Sequence, residues 1–196
     1  MKVKNIAILK GNKTTTKLGI INYTPTFEEI KSDKGDETRK EPVPAEIRTD
    51  IRFSQGIIKF KFKASEKKTG VLITSDSKDG KHLFSAGLSL GSDAFRIYDA
   101  KTNSISTNGS LAQFKANEEI EVRYEIFGSE AELFVNNILY CELNLNISPA
   151  PLSFRITSNG KVSLYDIEVE YVKPKLFVVM QFTEDFNNLY NDVIIP

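Results

Sequence analysis

Three carboxylates, Asp166, Glu168 and Glu170, recur at every second position near the end of the chain. On an extended strand, side chains at i, i+2 and i+4 point to one face. All three would then share a surface. Two carboxyl groups set on either side of one bond can serve as acid and nucleophile in glycoside hydrolysis. The same spacing also describes a solvated face. Lys59, Lys61 and Lys63 alternate in the same way, so two adjacent strands would oppose unlike charges. Charge pairing predicts the lysine strand beside the acidic strand. Catalysis predicts a deep cleft with Glu168 and a second carboxylate about 5 Å apart. A sugar-cleaving site also wants aromatic platforms, and the chain has no tryptophan.

A second group offers recognition chemistry. By alternation, Ser85, Ser89, Arg96, Tyr98, Arg123 and Arg155 point away from the core and could share one sheet surface. Arginines, hydroxyls and a stacking ring in a groove suit a sugar, a nucleotide or an acidic peptide. The plainer reading is a solvated face whose arginines are matched by Glu121 and Glu125. Asp76 and Asp79 could offer oxygens to calcium, but further acids at suitable spacing are missing and Asp79-Gly80 is an ordinary turn signal. Gly87, Gly91 and Gly109 form no phosphate-binding fingerprint. One cysteine, Cys141, and one histidine, His82, exclude an internal disulfide and a Cys/His zinc cluster. Cys141 lies in the apolar stretch Ile138 to Leu145 and reads as a core thiol. No cofactor and no metal are expected.

These side chains need strands to position them. Ile47, Thr49, Ile51 and Phe53 alternate with polar residues. So do Ile58, Phe60 and Phe62, then Ile120, Val122, Tyr124 and Ile126, then Phe154 and Ile156. Gly128-Ser129 and Asn136-Asn137 mark hairpin turns, and Asn159-Gly160 carries a type I′ signal. In the closing strand Val162 and Leu164 keep one phase while Ile167, Val169 and Tyr171 keep the other. A bulge near Tyr165-Asp166 is required to bury both sets. Ile6 to Leu9 and Leu18 to Tyr23 read as two strands, and residues 25 to 45 as a long surface loop. No helix of normal length is expected before residue 183. The body is therefore all-β: an antiparallel two-sheet jelly-roll sandwich.

With 196 residues, 26 basic and 26 acidic, and 40% apolar, the chain can hold one core domain and carries no net charge. That balance argues against a general nucleic-acid or membrane-surface partner. The N-terminal apolar run is too short for a signal peptide and no stretch reaches transmembrane length, so a soluble cytoplasmic protein is expected.

Taken in order, Gly56 to Ala64, the hairpin Glu119 to Asn137 and the terminal Gly160 to Val169 resemble the concanavalin A-like lectin/glucanase superfamily, in its laminin-G-like jelly-roll branch. The likeness covers residues 1 to 172. That family's hairpin ends in Val-Asn-Gly; here Asn137 replaces the glycine and still tolerates a left-handed turn. Retaining β-glucanases of the superfamily carry a Glu-x-Asp-x-(x)-Glu strand. Asp166 departs from it at the first position, and the strand here is the last one.

Residues 173 to 196 change character. Leu176 to Phe182 is a continuous apolar run, as in a parallel strand. Thr183 is a helix N-cap, and Phe186, Leu189, Tyr190 and Val193 keep a helical period. Lys175 to Pro196 resembles the opening of TIR-like and nucleoside 2-deoxyribosyltransferase-like domains. That likeness implies a nucleotide- or NAD-processing effector whose catalytic glutamate lies further along. The expectation is a non-catalytic recognition or sensor module for a sugar or nucleotide in a bacterial intracellular protein, of the kind used in defence. The alternatives are a glucanase-type hydrolase and a protein-interaction domain that forms homo-oligomers.

Overall fold

A computed structural model describes residues 3, 5–11, 13–17, 19–31, 38–76 and 82–172. Its strands are numbered in chain order. Sheet I runs β1 (Ile6–Lys10), β6 (Ala45–Phe53), β15 (Ala150–Ser158), β8 (Thr69–Asp76), β9 (His82–Ser89), β10 (Ala94–Asp99) and β11 (Ser104–Asn108). Sheet II runs β14 (Ile138–Asn144), β13 (Glu130–Val135), β12 (Ile120–Phe127), β7 (Gly56–Ala64), β16 (Val162–Tyr171), β3 (Ile20–Tyr23) and β2 (Thr15–Lys17). Every pair is antiparallel. Among the described residues the helical content is one 3-10 turn, Leu111–Gln113. The two-sheet sandwich expected from strand periodicity is the one observed.

Alternation explains why the sheets stack. In β7, Ile58, Phe60 and Phe62 are buried while Lys59, Lys61 and Lys63 face out. In β6, Ile47, Ile51 and Phe53 are buried, and Thr49 joins them by donating its hydroxyl to the Leu152 carbonyl at 3.0 Å. Phe60 of sheet II meets Phe154 of sheet I edge to face, centroids 5.5 Å apart. Tyr124 stacks on Phe84 at 5.6 Å across the same interior. Cys141 is buried, with its thiol against the Phe95 carbonyl, as a core cysteine should be.

The expected bulge is present. The register of β16 against β7 shifts between Tyr165 and Glu168, and Asp166 takes a φ of 53°. Val162, Leu164, Ile167 and Val169 are all buried as a result. β16 lies beside β7, with Lys63 opposite Ser163, Lys61 opposite Tyr165 and Lys59 opposite Glu168. The Lys59 ammonium sits 3.2 Å from Glu170.

Three expectations need correcting. Residues 25 to 45 are not one loop, because β4 (Phe27–Lys31) and β5 (Thr38–Pro42) form a hairpin. Its strands alternate in charge rather than apolarity, with Glu29 opposite Lys40 and Arg39 paired to Glu41 at 2.7 Å. The polar Thr15–Lys17 pairs with β3, so the N-terminal region holds three strands, not two. Asn159-Gly160 is not a type I′ hairpin: neither residue has a positive φ, and the flanking strands belong to different sheets. It is a crossing between sheets, whereas Asn136 and Asn137, at φ 48° and 64°, make the type I′ turn. β11, a stretch not assigned to any element from its sequence, is a strand with no apolar alternation, held by pairing to β10. The strand and helix expected between Leu176 and Val193 lie outside the described residues, as does the Asp76/Asp79 calcium question.

Two measurements test this core. Phe60→Ala should cost about 3–5 kcal/mol in denaturant unfolding, by removing the inter-sheet ring contact and leaving a cavity. Tyr124 is fully buried and its hydroxyl has no partner, so burial holds its phenol well above the ordinary value of 10.0. Tyr124→Phe should therefore be neutral or stabilising by about 1 kcal/mol. The raised pKa means the folded state keeps a proton that the unfolded chain releases above its own phenol pKa. Stability should fall as pH rises past about 10, and less steeply in Tyr124→Phe. Equal alkaline slopes in both proteins would refute this assignment.

Candidate recognition face

The outer face of sheet I gathers most of the recognition group. Cross-strand register sets three rows. Arg48 on β6 leads to Ser153 on β15, Thr74 on β8, Ser85 on β9 and Tyr98 on β10. Glu46 leads, in the same strand order, to Arg155, Leu72, Gly87 and Arg96, and then to Thr107 on β11. Ser89 lies opposite Ala94 in the third row. Ser85, Ser89, Arg96, Tyr98 and Arg155 therefore share this face.

Burial gives the face relief. Thr74, Ser85, Ser89 and Ser153 point outward, yet each is no more than 6% exposed. Small side chains here form a floor beneath larger neighbours. Gly87 lowers the floor further. Its φ is 127°, and a Cβ there would lie 2.4 Å from the Val71 carbonyl oxygen of β8. Only glycine fits this approach of two strands.

The charged groups are held in defined positions. The Arg96 guanidinium carbon lies 5.7 Å from the centre of the Tyr98 ring. Tyr98 donates its phenol to the Asn103 side-chain oxygen at 3.1 Å. Asp99 fixes that hairpin by accepting from the Lys101 amide and the Thr102 hydroxyl at 2.8 and 2.7 Å. Partial burial lowers the pKa of Arg96, and the nearby Arg155 charge lowers it too. Arg96 Nε and Ser153 Oγ are covered and have no hydrogen-bond partner among the described residues.

Arg123 does not join this surface. It belongs to β12 on the outer face of sheet II, where its guanidinium lies 3.9 Å from the Phe134 ring centre and pairs with Glu125. A single phase rule along the sequence cannot say which sheet a strand enters. Conversely, Arg48, Thr74 and Ser153 are not part of the group read from the sequence, and Gly87 is weighed there only as a phosphate-binding glycine. Their outward phase was readable from β6, β8, β9 and β15, but their shared location depends on register across strands far apart in sequence.

The opposite face of the sandwich is a charge lattice. Lys61 and Lys63 reach Glu119 at 3.2 and 4.0 Å, and Tyr165 donates to the same carboxylate at 2.7 Å. The Tyr165 hydrogen bond, helped by Lys61, draws the Glu119 pKa below its ordinary value. Asp166, Glu168 and Glu121 line a depression there together with Lys59 and Lys61. The acids first singled out thus stand among lysines.

No family model matches the chain, and no curated protein matches it. Solved structures do resemble it. One is the carbohydrate-binding module CBM66 from Bacillus subtilis, with TM-score 0.51 and 11% identity over 76% of this chain and 93% of that one. A prokaryotic β-1,3-1,4-glucanase (lichenase) derived from a mouse hindgut metagenome gives 0.57 and 14% over 87% and 94%. A Bacillus licheniformis β-glucanase gives 0.57 and 14% over 86% and 92%. The chain thus has the concanavalin A-like jelly-roll fold of these carbohydrate-binding and glucanase domains.

Proposed function

We propose that this chain is a non-catalytic carbohydrate-recognition module that takes its ligand on the outer face of sheet I. The observation that carries the reading is the three-row surface itself. A hydroxyl floor, bare at Gly87, is flanked by Arg96, Arg155 and the fixed ring of Tyr98. Sugars present many hydroxyls in a ring plane. They are held by side chains that both donate and accept, beside a planar group that can pack on the ring. The fold likeness to a carbohydrate-binding module and to glucanases makes a saccharide the favoured ligand over a nucleotide. In this proposal, catalysis is left to another domain. The segment from Lys175, with its likeness to the opening of TIR-like domains, is where a nucleotide-processing partner would join.

A glucanase-type hydrolase is the second reading, favoured by the depression that brings Asp166, Glu168 and Glu121 together. Against it, Glu170 is paired with Lys59, and Lys59 and Lys61 line the same depression as Asp166, Glu168 and Glu121.

Titration of the full chain with β-glucan and with acidic oligosaccharides should show saturable binding without release of reducing ends. Arg96→Ala should weaken binding about tenfold or more. Glu168→Gln and Glu170→Gln should leave it within about twofold. Reducing-end release that disappears in Glu168→Gln would replace the module with the hydrolase. Failure to bind any saccharide would reject recognition.

A further inference from the structure

We infer that the outer face of sheet I takes an anionic saccharide, bearing a uronate carboxylate or a sulfate ester, with the anionic group held by Arg96 and Arg155 across the bare position at Gly87. The inference rests on the recognition reading above and adds the ligand's charge and the groups that read it.

Arg155 and Arg96 stand on one register row with only Leu72 and Gly87 between them. Three strand spacings separate their backbones, about 14 Å. The Arg155 charge is felt at Arg96, so the two cations act on the same stretch of the row, which is bare at Gly87. That position is fixed by the fold, because any Cβ at Gly87 would strike the β8 backbone.

Two like charges on a partly desolvated surface repel each other and lack the solvation that water would supply. The influences on Arg96 are burial, the Tyr98 ring and the Arg155 charge, and no carboxylate is among them. Among the described residues its covered Nε has no acceptor. On the far side Glu46 lies opposite Arg155, so that end of the row carries its own acid. The uncompensated end is therefore the Arg96 end, beside Tyr98. A planar carboxylate or a sulfate is the group a guanidinium fork matches with paired hydrogen bonds. Neutral sugar hydroxyls would leave the repulsion in place. Ser85, Ser89, Thr74 and Ser153 remain for the sugar's own hydroxyls.

The opposite face supplies the control. Arg123 is also a half-buried arginine on an outer sheet surface, but Glu125 and Phe134 already engage it.

The test is calorimetric titration of the full chain with short oligosaccharides of equal length: an oligogalacturonate, its methyl ester, a sulfated oligosaccharide and a neutral glucan. At least one acidic ligand should bind about tenfold or more tightly than the neutral one. Arg96→Gln and Arg155→Gln should each weaken that ligand about 10–100-fold, and the neutral glucan by a smaller factor, so that the preference for the acidic ligand is lost. Arg123→Gln should change nothing. Arg96→Lys, which keeps the charge and loses the fork, should fall between wild type and Arg96→Gln, and it guards against misreading a folding defect. Preference lost on methyl esterification assigns the carboxylate; preference for the sulfated ligand assigns the ester. Equal or tighter neutral binding would overturn the anion while leaving recognition intact. Acidic binding that survives both glutamine variants, or falls equally in Arg123→Gln, would overturn the site. No binding to any of the four ligands would remove the recognition reading as well.

Discussion

The edge-to-face contact of Phe60 with Phe154 joins the two sheets, and the rest of the molecule is arranged around the period of two that brings those rings inside. Once Phe60 points in, Lys59 and Lys61 must point out. Once Phe154 points in, Arg155 must point out. The chemistry on each surface is thus slaved to the packing beneath it. Where the period fails, at Asp166, the chain takes a left-handed residue rather than expose Ile167 and Val169. A full strand of buried aliphatic side chains outweighs the local cost of a single residue at positive φ, which is on the order of 1 kcal/mol.

The two outer surfaces follow opposite electrostatic designs. On sheet II, Lys59 of β7 meets Glu170 of β16, and Glu119 alone collects two ammonium groups and a phenol. Further along the same sheet like charges face each other, as Glu125, Glu132 and Glu142 do across β12, β13 and β14. On sheet I, Arg96 has an aromatic neighbour and a like charge, with its hydroxyl-bearing companions sunk into the floor. Among the described residues Arg96 is thus left without a carboxylate, while Arg155 has Glu46 opposite it. This contrast, more than the number of arginines, distinguishes Arg96 from Arg123.

Much of this was legible in the residues. Alternation gave the strands β6, β7, β12 and β16, and the phase slip between Leu164 and Ile167 gave the bulge, because burial enforces phase strictly. Charge complementarity gave the pairing of β7 with β16. Polar strands were not legible. β4, β5 and β11 bury little, so their partners rather than their side chains define them. Sheet membership was not legible either. Arg123 and Arg155 look equivalent along the chain, and only the long-range pairing of β15 with β8 and of β12 with β7 sends them to opposite sides.

Gly87 has an evolutionary consequence. The larger side chains on the outer face of sheet I, such as Arg96 and Arg155, can change without disturbing the interior, whereas Thr74, Ser85, Ser89 and Ser153 are buried. Under the recognition proposal, ligand preference could therefore drift at those larger residues while the sandwich persists. Gly87 is where that independence ends, since scaffold and ligand surface meet at a single atom's width between β9 and Val71 of β8. Descendants of this sequence could rewrite the arginines around it, and so change what they bind, yet would inherit the same central gap.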